Sequence, residues 1–144
     1  MADFMSSGDQ AVVVISTTKE PAAAVFDYAA ARANLARRAR RDTAANRRLW
    51  RQAERDAKAI VALIAERYRP TAIFQWGSVL HPERFREYSD VDVAVAGIPD
   101  AESYFRMLGD AMVLTKFPLD LVDLDKIAPE HADTIRRHGR QVYP

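Results

Sequence analysis

Apolar residues recur at helical spacing in the middle of the first half of the chain. Leu49, Ala53, Ala57, Ile60, Ile64 and Tyr68 follow one another at steps of 4, 4, 3, 4 and 4, the period of an amphipathic helix with one buried stripe. Pro70 ends that helix. Upstream, Val25, Tyr28, Leu35 and Ala39 lie in an Ala-rich background behind Pro21, which suits a helix start. They predict a second helix that stops or bends around Asp42 and Thr43, so that the two helices form a hairpin.

Beyond Pro70 the period shortens. Residues 72–76, 91–95 and 119–124 read as strands, residues 101–112 as a helix and residues 129–138 as a last helix, with Gly139 at its C-cap and a terminal strand over 141–143. Strands mixed with helices behind a helical segment predict an α+β fold: a small mixed sheet with flanking helices, preceded by a helical N-terminal extension. The expected division is a weakly ordered leader over 1–19, in which Val12 to Ile15 could add a strand, a basic helical extension over 20–48, and one compact domain over 49–144.

Composition removes most alternatives. The 144 residues include no cysteine, which excludes disulfide frameworks, thiolate metal sites and cysteine nucleophiles and fits a reducing cytoplasm. The five glycines are too scattered for a dinucleotide fingerprint or a P-loop, and the three histidines are too oddly spaced for a multi-histidine metal centre. The longest apolar run near the N-terminus, residues 11–15, is far short of the about 20 residues of a membrane span. A cytoplasmic protein that does not enter membranes is expected, and its chemistry must rest on carboxylates.

The formal charge of +1 hides an uneven distribution. Residues 32–69 hold twelve Lys and Arg against four Asp and Glu, a local balance of +8, which leaves −7 elsewhere. Such asymmetry suits an anionic partner, or attraction between the two parts of the chain. The arginines from Arg37 to Arg55 could contact RNA or phosphate, but a solvated or partner-facing helical face is the weightier reading. No aromatic residues are interleaved to make a single-strand groove.

The informative order of residues runs from Phe74 to Asp120. A strand enters a tight turn at Gly77 and Ser78, where glycine lets a backbone approach a phosphate and Ser78, in the first turn of a following helix, can offer its hydroxyl and N–H. Asp90 and Asp92 share one face of the next strand, while Val91, Val93 and Val95 face the core. If the strand over 119–124 lies alongside, Asp120 joins them and Asp123 points the other way. Three converging carboxylates can hold two metals about 3.5 to 4 Å apart, the arrangement for nucleotidyl transfer. The alternative is a merely polar outward face on a half-exposed strand.

In this order, Gly77 and Ser78, then Ser89-Asp90-Val91-Asp92, then Leu119-Asp120-Leu121-Val122-Asp123 resemble the minimal nucleotidyltransferases (MNT) of the DNA polymerase β superfamily. The resemblance covers roughly residues 49–143 and includes the ending Ile135, Gly139, Val142 and Tyr143. It implies the polymerase β-like nucleotidyltransferase fold, with catalytic Mg²⁺ in a two-metal site on Asp90, Asp92 and Asp120. Gly77, Ser78 and Ser89 would hold the triphosphate of ATP or another NTP. Members of this family are often antitoxins encoded beside HEPN-domain toxins, which they neutralise by transferring AMP to a tyrosine or by binding. The resemblance therefore implies a protein partner of the HEPN-toxin kind. A non-catalytic binding module and an enzyme acting on RNA or a small molecule are the other readings.

Overall fold

A computed structural model of the protein describes residues 25–144. The expected leader, its strand at Val12 to Ile15 and the helix start at Pro21 lie outside these residues. The elements are α1 (Tyr28–Tyr68), β1 (Ala72–Trp76), a 3-10 turn (Gly77–Leu80), β2 (Val91–Ala96), α2 (Ala101–Met112), β3 (Leu119–Asp123), α3 (Pro129–His138) and β4 (Arg140–Tyr143). The four strands and the two helices expected over 101–112 and 129–138 are present, within a residue or so at each end.

The N-terminal half departs from expectation. In place of a hairpin there is one continuous helix of 41 residues, about 60 Å long at 1.5 Å per residue. Asp27 caps it by accepting from the Ala30 amide at 3.0 Å. The residues that suggested a break do not make one, because the Thr43 hydroxyl donates to the Ala39 carbonyl at 2.8 Å and so stays within the helix. No glycine or proline lies between Tyr28 and Tyr68 to stop propagation. Arg69, in the left-handed conformation at φ 45°, and then Pro70 terminate the helix.

The four strands form one mixed sheet in the order β3-β2-β1-β4. β1 is antiparallel to both β2 and β4, and β2 is parallel to β3, the two joined through α2. Alternation of side chains along the strands builds three layers. On one face Ala53, Ala57, Ile60 and Ile64 of α1 and Met107 and Ala111 of α2 pack on Ile73, Val91, Val93, Val95 and Leu121. On the other, Ala132 and Ile135 of α3 cover Phe74, Ala94, Ala96 and Leu124. A Cβ at Gly139 would lie 2.5 Å from the Ile135 carbonyl and 2.9 Å from that of Gln75, so only glycine lets the chain leave α3 this tightly and enter β4 beside β1. The Tyr68 hydroxyl donates to Asp110 at 2.6 Å and ties the end of α1 to α2. Among the described residues no helix is long and apolar enough to cross a membrane.

Only the C-terminal half of α1 is covered by this domain, which predicts unequal costs of truncation along one helix. Ile60→Ala, at a fully buried position, should destabilise by about 2–5 kcal/mol. Leu35→Ala, 64% exposed, should cost under about 0.5 kcal/mol. Urea unfolding of the two variants checks this, and equal costs would contradict the described packing.

Candidate active site

The parallel pairing of β2 with β3 sets Asp92 directly beside Asp120. Both follow the strand parity of Ala94 and Val122, so their carboxylates stand on the α3 side of the sheet, beyond the reach of α3's apolar cover. Asp90 lies two residues ahead of Asp92, where the chain enters β2. Asp92 is buried, whereas Asp90 and Asp120 are exposed. Burial above all, then the charges of Asp120 and Asp90, push the Asp92 carboxyl up to about 7 from an ordinary 3.8. The charges of Asp90 and Asp120 therefore bear on the Asp92 carboxyl. The three acids are not drawn into a closed cage: among the described residues no three acidic or imidazole side chains stand at metal-ligand spacing. Asp123 is on the opposite face, as its parity requires, and its Oδ1 accepts from the Asp125 amide at 3.0 Å.

The turn after β1 closes the other side. Trp76 opposes Asp92 in the antiparallel register, and the next residue, Gly77, has φ +71°. A Cβ there would lie 2.1 Å from Oδ2 of Asp92, so Gly77 is required both by its backbone conformation and by the carboxylate packed against it. The helix expected to follow Gly77 is only a 3-10 turn of four residues, whose Ser78 carbonyl accepts from the His81 amide at 3.0 Å. Ser89 is buried and its hydroxyl accepts from the Arg86 amide at 2.9 Å, which fixes the loop leading into Asp90.

Several positioning residues escape a reading of the sequence. The Trp50 indole of α1 donates to the Val79 carbonyl at 2.8 Å and anchors the Gly77 turn to the long helix. Phe85, fully buried, meets Phe117 edge-on with ring centroids 5.6 Å apart, and the Val91 amide donates to the Pro118 carbonyl at 2.8 Å. These contacts pin together the two loops that deliver Asp90 and Asp120. Tyr104 of α2 donates to the Leu121 carbonyl at 2.6 Å on the outer edge of β3. Burial, then Asp120 and Asp123, raise its hydroxyl pKa. The Trp76 indole N–H is buried without a partner, with His131 edge-on at 5.9 Å between ring centroids. A sequence offers at most a hint of such roles, in an aromatic residue set beside a helical stripe or within a polar loop.

No protein-family model matches the chain, and no curated protein matches it in sequence. Solved structures do share its fold. A chain of the toxin-antitoxin MntA-HepT complex is 19% identical, with 61% of this chain and 69% of that one covered and a TM-score of 0.48. A chain of a toxin-antitoxin structure with AMP-PNP is 20% identical, with 59% and 71% covered and a TM-score of 0.49. A chain of an MntA-HpeT mutant carrying two aspartate-to-glutamate changes is 19% identical, with 60% and 71% covered and a TM-score of 0.51. The third likeness, at a TM-score of 0.51, is one of fold, and it agrees with the expected α+β architecture of a small mixed sheet with flanking helices.

The raised Asp92 carboxyl makes a signed prediction. Its folded-state value of about 7 exceeds the ordinary 3.8, so the folded protein holds this proton more tightly than the unfolded chain. Its stability contribution is fully present below about pH 4 and is lost as pH rises through about 7. Asp92→Asn, which stays neutral, should therefore gain in Tm relative to the wild type across that window and plateau above it. Thermal unfolding from pH 4 to 8 in EDTA checks this, and parallel curves would contradict it.

Proposed function

We propose that the protein is a Mg²⁺-dependent nucleotidyltransferase that transfers NMP, AMP from ATP, to a hydroxyl of a partner protein, in the role of the antitoxin of a HEPN/MNT pair. What supports this reading is the register that sets Asp92 beside Asp120, with Asp90 just ahead of β2 and the positive-φ Gly77 turn packed against Asp92. The MntA-HpeT mutant has its two changed aspartates two positions apart, the spacing of Asp90 and Asp92, which adds support.

The donor set suits a hard divalent cation: all oxygen, from carboxylates whose mutual repulsion such a cation would relieve. Asp90 and Asp92 would hold it, with Asp120 completing the acceptor side. Bound Mg²⁺ would neutralise triphosphate charge and make the acceptor hydroxyl a better nucleophile. Gly77 and Ser78 would present backbone and hydroxyl to the triphosphate, while Ser89 keeps the Asp90 loop in shape. In the reaction the hydroxyl oxygen bonds to the α-phosphorus and pyrophosphate leaves. Asp120, the exposed acid beside Asp92, takes the proton. Asp90 and Asp120 are exposed at the end of the sheet, which suits an acceptor that brings its own surface, a protein rather than a small molecule.

Thermal shift tests the site without a partner. At about 100 times the dissociation constant, ATP with Mg²⁺ should stabilise the wild type by about 2.7 kcal/mol. Neither ligand alone should match this, and Asp90→Asn/Asp92→Asn should abolish it. With α-labelled ATP in extracts of the source cells, only the wild type should label a protein. A stabilisation that is equal in the variant would refute the assignment. No shift in the wild type would leave stoichiometric neutralisation of a partner as the function.

A further inference from the structure

The stripe that buries α1 does not stop where its cover stops. Tyr28, Ala31, Leu35, Ala39, Asp42 and Asn46 continue the line of Leu49, Ala53, Ala57, Ile60 and Ile64 at steps of three and four, one unbroken face of a continuous helix. The sheet and α2 bury its C-terminal part completely, with Ala53, Ala57, Ile60 and Ile64 at 0% exposure. Its N-terminal part lies open among the described residues, where Tyr28 and Leu35 are 70% and 64% exposed. At Leu49 the face enters an open cleft of about 740 Å³ between α1 and residues 113–118, with Glu87 on its rim. The walls of that cleft immediately precede Asp120 and Asp90 in the chain, and Val113 and Tyr88 stand beside it 82% and 79% exposed.

We propose that this open half of α1 is a docking face for an acidic amphipathic helix of a partner protein, laid along the stripe towards the carboxylate end of the sheet. Charge selects the occupant. Residues 28–48 carry seven arginines against Asp42, a net +6, and helical spacing sets Arg32 and Arg47 along one flank of the stripe and Arg38 and Arg41 along the other. A second copy would bring +6 against +6. A helix with Asp and Glu beside its apolar edge meets arginine on both sides, while the small Ala31 and Ala39 allow close approach. Asp42 is the one acid in the seam, and it calls for a single basic residue at the matching turn, which fixes register. Nucleic acid would find the arginines, but among the described residues this half offers no row of aromatic side chains for bases to stack on.

The proposal deepens the protein-acceptor reading above, and it can be tested without any transfer. Amide hydrogen exchange of the full chain is followed alone and with three probes: a synthetic helix of about five turns with a Leu/Ala edge flanked by Glu, the same helix with Lys in place of Glu, and a single-stranded RNA oligonucleotide. Residues 28–48 should exchange fast in the free monomer and become protected by the Glu helix only. Arg32→Glu/Arg38→Glu and Leu35→Asp should each weaken that binding at least about tenfold. Asp92→Asn should leave it unchanged, which separates failure of this proposal from failure of the catalytic one. Four results would overturn it: protection of residues 28–48 in the free monomer equal to that of residues 53–64, protection that grows with protein concentration, protection by RNA, or none by the Glu helix.

Discussion

Setting two carboxylates side by side across parallel strands is unfavourable unless something else compels it, and the acidic end of this protein depends on that compulsion. The register of β2 with β3 puts Asp92 against Asp120. The valines and Leu121 on the opposite face are buried under α1 and α2, so a slip of one residue would turn the valines out of that layer and drive the Asp92 carboxyl into it to relieve one repulsion. Core burial on one face therefore holds like charges together on the other. The neighbouring turn depends on the same contact, since the Asp92 carboxylate occupies the space a side chain at position 77 would need.

The loops at this end are tied by a few long-range contacts. The Phe85–Phe117 pair joins the loop before Asp90 to the loop before Asp120, and the Trp50–Val79 hydrogen bond fastens the Gly77 turn to α1. Because α1 is one continuous helix, Trp50, which fastens the turn beside the acids, and the open basic half belong to the same element. A partner held on the basic half would be held in a fixed relation to the carboxylates, an economical way for a small domain to position an acceptor it does not enclose.

Much of this was legible in the sequence. Period-two alternation gave the strands their faces, and it separated Asp120 from Asp123 once β3 lay beside β2. The juxtaposition of Asp92 with Asp120 follows from that parity together with the parallel pairing of β2 and β3. The last helix was marked at its end by Gly139. The long helix was misread because Asp42 and Thr43 are common at helix ends, whereas Thr43 here bonds back to Ala39 and alanine carries the helix through. The turn after Gly77 was expected to open a longer helix. Trp50, Phe85 and Phe117 were not legible as positioning residues, since their roles depend on partners about 30 residues away in the chain that no local pattern announces.

The central claim is that Asp90, Asp92 and Asp120 form a divalent-cation site for a nucleoside triphosphate. A crystal structure with Mn²⁺ and a non-hydrolysable ATP analogue tests it most directly, through the anomalous signal of the metal. The account predicts anomalous peaks among these three carboxylates, with the triphosphate against Gly77 and Ser78. Mn²⁺ bound elsewhere, or nucleotide bound away from the three acids, would contradict it.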